Sequence, residues 1–118
     1  MNIKIKDKEL ELVSPLSGRS QIMYENITGE SLDLEQLKSI NVVATLFYAN
    51  ICATMQKNRM ALDLDYNDFL DWLDDQDKDM QVLLDYINWI AKLIGIQDKL
   101  TEKLEKTLED EEKKTKKD

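Results

Sequence analysis

The segment Leu62–Asp79 (LDLDYNDFLDWLDDQDKD) is the part of the chain whose residue types and spacing could do chemistry. It holds eight aspartates, and carboxylate oxygens are the ligands that Ca²⁺ prefers. Positions 1, 3, 5, 9 and 12 of an EF-hand-like loop are matched by Asp63, Asp65, Asn67, Asp71 and Asp74. However, Asp68 stands at position 6, where the loop needs glycine for a sharp turn, and Asp74 replaces the bidentate glutamate of position 12. A calcium-binding module is therefore one hypothesis for this segment.

An amphipathic helix explains the same segment better. Phe69, Leu70 and Leu73 recur at helical spacing and would face a core, and Asp65 can cap the helix at its N-terminus. The side chains expected to point mainly to water are those of Asp68, Asp71, Asp74 and Asp75. Trp72 fits the buried stripe less well, so we expect it to be partly exposed and available to anchor a partner.

An acidic inhibitor that imitates DNA phosphates is a further alternative. Such a mimic usually spreads carboxylates over much of its surface, whereas here eight of the 24 acidic residues lie in one short segment. The formal charge of −8 argues against binding to nucleic acid or to an anionic membrane, since both need a basic surface. No apolar run approaches the roughly 20 residues of a membrane span, and the charged, alternating start MNIKIKDKEL differs from a secretory signal.

The residue types that most enzymes use are missing or badly placed. The chain has no histidine, and its one cysteine, Cys52, lies among apolar residues without a base to activate it. Gly18, Gly29 and Gly95 are too far apart for a phosphate-binding loop. We therefore expect no enzyme, no catalytic residue, no cofactor and no metal ion.

The elements that must position these side chains predict a mainly α (α+β) fold. Residues 2–13 alternate as a β-hairpin with Asp7-Lys8 as its turn, and would set lysines opposite glutamates on the outer surface. Arg19–Thr28 predicts a short helix that ends at Gly29, with Ile22, Met23 and Ile27 on its apolar side. The hairpin should be followed by a compact bundle of four to five helices and a charged C-terminal helical arm.

The longest helix is predicted to be central. Asp33 and Gln36 resemble a capping box that opens a helical stretch continuing to Lys57. Because this stretch is apolar nearly all round between Val42 and Met55, we expect it to be covered on most sides.

A fourth helix, predicted over 78–94 and ending at Gly95, carries two apolar stripes. The first, expected to face the core, consists of Met80, Leu83, Leu84, Ile87, Ala91 and Ile94. The second consists of Val82, Tyr86, Trp89 and Leu93. One core needs only one stripe, so the second indicates either a deeply buried helix or contact with another chain.

The end of the chain changes in composition. Residues 1–95 should form the hairpin and the helical domain, and residues 96–109 a helical arm with a leucine every fourth position: Leu100, Leu104 and Leu108. Residues 110–118 are almost entirely charged, which predicts a disordered tail.

Taken in order, these pieces resemble a known family. After the hairpin come Ile22–Asp33 (IMYENITGESLD), Leu46–Ile51 (LFYANI) and Leu64–Asp75 (LDYNDFLDWLDD), and then a closing apolar helix. This order is similar to that of the tail assembly chaperones of long-tailed bacteriophages and prophages of Gram-positive hosts, over about residues 1–94. Val13–Ser20, which contains Pro15, departs from the family's smoother join between hairpin and helix.

The resemblance implies a non-catalytic chaperone that binds the tape-measure protein and assists tail tube assembly, with the tail tube protein as a further partner. It implies action in the cytoplasm of the infected or lysogenic host and absence from the mature virion. Candidate residues for binding the client, or for forming a homo-oligomer, are Trp72, Val82, Tyr86, Trp89, Leu93, Leu100, Leu104 and Leu108. No nucleic acid and no membrane is expected among its partners.

Overall fold

A computed structural model describes residues 1–95 of the chain. In chain order the elements are β1 (Asn2–Ile5), β2 (Lys8–Glu11), α1 (Gly18–Thr28), a 3₁₀ helix (Leu34–Lys38), α2 (Ile40–Lys57), α3 (Tyr66–Asp74) and α4 (residues 79–95). The two strands form an N-terminal hairpin and the helices pack into a compact body, which confirms the predicted fold class. The predicted arm and tail, with Leu100, Leu104 and Leu108, lie outside the described residues.

The hairpin has the predicted faces but a turn one residue earlier than expected. Ile3 pairs with Leu10 on the buried face, and Lys4 pairs with Glu9 on the outer face, as predicted. The turn residues are Lys6 and Asp7, with φ of 48° and 62°. Positive φ at both central positions matches the right-handed twist of the strands, as in type I′ turns. A lysine is uncommon in this backbone region, so contacts elsewhere must hold it there.

The join between hairpin and α1 is fastened by polar side chains of α2. The Val13 N–H donates to Thr54 Oγ1 (3.1 Å), and the Asn50 amide donates to the Val13 carbonyl (2.8 Å) and to Ser20 Oγ (2.9 Å). All three side chains are buried, and buried polar groups are stable when they are hydrogen-bonded in this way. The segment that contains Pro15 is thus fixed by α2.

Helix α1 begins at Gly18, one residue before the predicted start, and ends at Thr28 as predicted, but it buries a different face. Ser17 accepts a hydrogen bond from the Ser20 N–H at its start, and Gly29 ends it with φ 77°. Ser20 and Tyr24 are the buried residues, whereas the side chain of Ile22 is 63% exposed. The predicted apolar side is therefore wrong, because the small Ser20, hydrogen-bonded to Asn50, takes the position against α2.

The predicted long second helix is divided in two. Asp33 caps only the 3₁₀ helix, through the Glu35 N–H (3.0 Å), and Ser39 then adopts an extended backbone before α2 begins. The expected capping box with Gln36 is not formed, since the Gln36 N–H bonds to the Asp33 carbonyl (3.0 Å). Helix α2 itself is central, with most of its residues from Val43 to Met55 buried, as predicted.

Aromatic packing on Phe47 of α2 joins the remaining elements. Its ring stacks on that of Tyr86 of α4, with centroids 4.1 Å apart and planes 13° apart. Phe69 and Trp72 of α3 approach the same ring at 5.4 and 5.8 Å. Such pairs add to the free energy of burial, so Phe47 lies where α2, α3 and α4 meet.

Candidate protein-binding surface

The acidic segment starts helix α3 through a capping box. The Asp68 N–H donates to the Asp65 carboxylate (2.7 Å), and the Asp65 N–H donates to the Asp68 carboxylate (3.1 Å). Each side chain satisfies a backbone donor that the helix end leaves free. Residues Tyr66–Asp74 are therefore helical, which gives them a different backbone from an EF-hand loop. Within residues 1–95, no cluster of acidic or cysteine side chains is arranged to hold a metal ion.

Two aspartates of the segment bind the hairpin turn. Lys6 Nζ lies 2.9 Å from the Asp68 carboxylate and donates to the Asp63 carbonyl (3.1 Å), and Lys8 Nζ lies 2.9 Å from the Asp63 carboxylate. The hydrogen bond from Lys6 lowers the pKa of Asp68, and that from Lys8 lowers the pKa of Asp63. The hydrogen bond to Asp68 raises the pKa of Lys6. Asp68 keeps part of its side chain exposed, as expected, but its carboxylate is paired with Lys6.

The outer side of α3 otherwise matches the predicted amphipathic helix. Asp71, Asp74 and Asp75 are exposed, and Phe69 and Leu73 are buried. Leu70 was expected in the core, yet 38% of its surface is exposed. The nine-residue helix has a narrow inner face, and Phe69 and Leu73, one turn apart, fill it.

Trp72 joins α3 to the hairpin. Its indole N–H donates to the Lys4 carbonyl of β1 (2.6 Å), and its ring packs against Phe47 and Phe69. The side chain is half-buried, which agrees with the predicted partial exposure. Its hydrogen bond satisfies a carbonyl at the edge of the hairpin, so this tryptophan has a structural role whatever else it binds.

The second stripe of α4 faces the core. Tyr86 is fully buried against Phe47, and Val82, Trp89 and Leu93 are half-buried. Tyr86 therefore presents no surface to a partner, and its prediction as a binding residue is wrong. Its ring supplies more contact area to Phe47 than an aliphatic side chain would, which favours its place in the core.

The first stripe, expected to be the inner one, lies mostly outside. Met80 is 49% exposed and Leu84 47% exposed. Ala91 is exposed as well, Ile87 and Ile94 are half-buried, and Leu83 alone is buried. We call the five residues that reach the surface the outer face of α4: Met80, Leu84, Ile87, Ala91 and Ile94. The stripe predicted to face the core thus supplies the most exposed apolar residues of α4, and each stripe contributes one buried residue, Leu83 or Tyr86.

An apolar groove runs beside the outer face. It has a volume of about 140 Å³ and separates α4 from the 3₁₀ helix. Its lining is Leu34, Leu37, Val43, Ile87, Ile90, Ala91 and Ile94. Because the groove is apolar and lies along a helix, it can accept apolar side chains of a second helix. Leu34 and Leu37 were not predicted as binding residues. The two leucines are three residues apart in the segment before α2, and this helical spacing is the only sequence signal that could have found them.

Cys52 does not form a reactive site. Its side chain is 6% exposed, and burial raises the pKa of the thiol. A thiol with a raised pKa is a poor nucleophile at neutral pH. No helix within residues 1–95 combines the length and apolar character needed to cross a membrane. Comparisons of the chain with protein-family models, with curated proteins and with solved structures found no match.

Proposed function

We propose that this chain is a non-catalytic assembly chaperone that binds a helical client through the outer face of α4 and the adjoining groove. The resemblance noted in the sequence names the client class: the tape-measure protein of a long-tailed bacteriophage, with the tail tube protein as a further partner. The chaperone works in the cytoplasm of the infected or lysogenic bacterial host and is left out of the mature virion. The observation that carries the proposal is the apolar outer face itself.

The dimensions of this face suit a helix. From Met80 to Ile94 the outer face covers about four turns, or roughly 20 Å at 1.5 Å per residue. Apolar positions repeat along it at intervals of four and three residues, the spacing with which one helix packs on another. A long client with apolar helical stripes would repeat this geometry along its length.

The charge around the face suits a chaperone that must stay dissolved. The chain carries a formal charge of −8, and exposed aspartates such as Asp77 and Asp85 lie close in sequence to the apolar positions. A high net charge keeps a protein with an exposed apolar patch in solution. It also favours clients whose apolar stripes are flanked by lysine or arginine.

Co-expression with the tape-measure protein of the same phage or prophage tests the proposal. The soluble fraction of the tape-measure protein should rise when the chain is present, and the two should co-purify. Leu84→Glu should remove both effects, because it places a charge in the middle of the apolar face.

Ile22→Glu provides the matched control. Like Leu84, Ile22 is an exposed branched aliphatic side chain, but it lies on α1. Its replacement should therefore leave client binding unchanged. Equal solubility of the tape-measure protein with and without the chain would refute the proposed function. Equal loss with both variants would refute the assignment to α4.

A further inference from the structure

The 3₁₀ helix lies on the surface and forms one wall of the groove. None of its five residues is buried, and the side chain of Leu34 is 43% exposed. Leu34 and Leu37 nevertheless line the groove beside α4, where they take up apolar contacts that side chains of a client helix would need. A 3₁₀ helix of this length is uncommon, because its hydrogen bonds have poorer geometry than those of an α-helix.

The residues of this segment suit an α-helix better. Leucine, glutamate, glutamine and lysine are strong α-helix formers, and residues 33–57 include neither proline nor glycine. The break at Ser39 is not stabilised by a cap, since the Ser39 side chain makes no capping hydrogen bond to α2. The first three N–H groups of α2 have no partner among residues 1–95. A continuous α-helix would supply them with the carbonyls of residues 36–38.

One dihedral angle separates the two arrangements. Ser39 has φ −82° and ψ 126°. Its φ lies near the helical value of about −63°, so ψ is the angle that must turn, to about −42°. Residues 34–57 would then form a single helix, with Asp33 still at its N-cap. Residues 29–32, which join this helix to α1, are mostly exposed and can follow the movement.

The continuous helix would open the groove. Leu34 and Val43 line the same groove in the present arrangement, but in one helix their nine-residue separation places them about 14 Å apart along the axis. Leu37 would lie about 9 Å from Val43 by the same measure. The groove would thus lose the wall that the two leucines form, and the apolar side chains of α4 behind it would become accessible.

We propose that residues 34–39 form a lid that closes the groove in the 3₁₀ arrangement and opens it when Ser39 becomes helical. In the closed state Leu34 and Leu37 compete with the client's own side chains, so the lid inhibits binding. A client that binds the open state shifts the population toward it. This inhibitory role rests on the proposed chaperone function, whereas the equilibrium between the two states needs no client.

Ile40→Pro should lock the lid closed. Position 40 is the first of α2, where proline is favoured, and Ser39 already has the extended backbone that a following proline requires. In a continuous helix the same proline would remove a hydrogen bond and clash with the carbonyl of residue 36. The Ile40 side chain is 58% exposed, so its loss should not disturb the core. Ile40→Ala is the matched control.

Relaxation-dispersion NMR on the chain alone tests the two states, because it detects exchange on the microsecond-to-millisecond timescale. In the parent chain and in Ile40→Ala, residues 34–39 should exchange with a minor state in which the Ser39 Cα shift is helical. Ile40→Pro should abolish the exchange. Ser39→Ala should raise the minor population about twofold, since alanine favours a helix more than serine does.

Absence of exchange in the parent chain, or exchange that persists in Ile40→Pro, would overturn the lid. Circular dichroism checks that each variant is folded. If Ile40→Pro does not fold, Ser39→Ala decides the question, and an unchanged minor population in that variant would overturn the lid.

Binding of the tape-measure protein tests the inhibitory role. Ile40→Pro should bind it more than about tenfold more weakly than Ile40→Ala, and Ser39→Ala about twofold more tightly than the parent chain. Equal binding by the two Ile40 variants would overturn the inhibitory role and leave the proposed function intact. A parent chain that does not bind would refute the proposed function and the inhibitory role together, while exchange at residues 34–39 would still establish the two states.

Discussion

At the scale of single residues, Tyr86 is the side chain whose environment differs most from its sequence signal. Its phenol group is the kind that interfaces favour, yet the ring is fully buried on Phe47. The hydroxyl is buried without a hydrogen-bond partner among residues 1–95, and burial raises its pKa well above the usual value. A buried polar group in this state destabilises the fold. The aromatic ring stabilises the core, and the hydroxyl does not.

Tyr86→Phe should therefore increase the free energy of unfolding, by on the order of 1 kcal/mol. The ring and its stacking on Phe47 are kept, and only the unpaired hydroxyl is removed. Urea denaturation measures the change. Tyr86→Ala serves as the contrast and should destabilise by roughly 3–5 kcal/mol, as loss of a buried ring does. A stability loss of about 1 kcal/mol or more for Tyr86→Phe would mean that the hydroxyl is hydrogen-bonded in solution.

At the scale of elements, the C-terminus of α1 and the N-terminus of α3 were predictable, whereas the buried faces of α1 and α4 were not. Gly29 ends α1 and Asp65 begins α3 at the predicted positions, because caps depend on a few neighbouring residues. The face that α4 buries depends on the rest of the fold. Its buried side consists of Leu83 of the first stripe, Tyr86 of the second stripe and Ile90, which belongs to neither, and both stripes are equally apolar in sequence. The break at Ser39 also lacked a proline or glycine to mark it.

The cap of α3 gives a test at this scale. Asp65→Ala should lower the free energy of unfolding by about 1 kcal/mol, since it removes the acceptor for the Asp68 N–H. Asp65→Asn should retain most of the stability, because asparagine caps a helix about as well as aspartate. Asp71→Ala, on the exposed side of the same helix, should change little. A similar loss for Asp71→Ala and Asp65→Ala would show that charge, and not capping, explains the effect.

At the scale of the whole molecule, the hairpin is stabilised by what it contacts. A two-stranded hairpin is at best marginally stable by itself in water. Here Ile3, Ile5 and Leu10 enter the core, while two ion pairs and the Trp72 indole hold the hairpin to the segment around α3. The hairpin could be predicted from its alternating residues. Its docking could not, because the contact residues lie more than fifty positions apart in sequence.

The ion pairs make this docking sensitive to acid. The pKa values of Asp63 and Asp68 lie below the usual 3.8, owing to hydrogen bonds from Lys8 and Lys6. Their stabilisation is thus complete at neutral pH and is lost as the pH falls through the lowered values. The pKa of Lys6 is raised above 10.5, so its contribution is lost only as the pH rises through that raised value.

Lys6→Gln/Lys8→Gln should therefore reduce the loss of thermal stability that follows acidification. The variant should melt below the parent chain at neutral pH, and the difference should shrink as the pH falls below 3.8. Lys4→Gln is the matched control, since Lys4 lies on the exposed face of the same hairpin. A constant difference at every pH would show that the two ion pairs do not link hairpin docking to pH.

The hydrogen bond from Trp72 to the Lys4 carbonyl also sets an order of events during synthesis. The two residues are 68 positions apart, so the ribosome must have made most of the described chain before they can meet. Until then β1 has an open edge and the aromatic cluster lacks the Trp72 ring. Contacts between distant residues form slowly because a long loop must close first. The first strand of the chain is therefore among the last parts to reach its final surroundings.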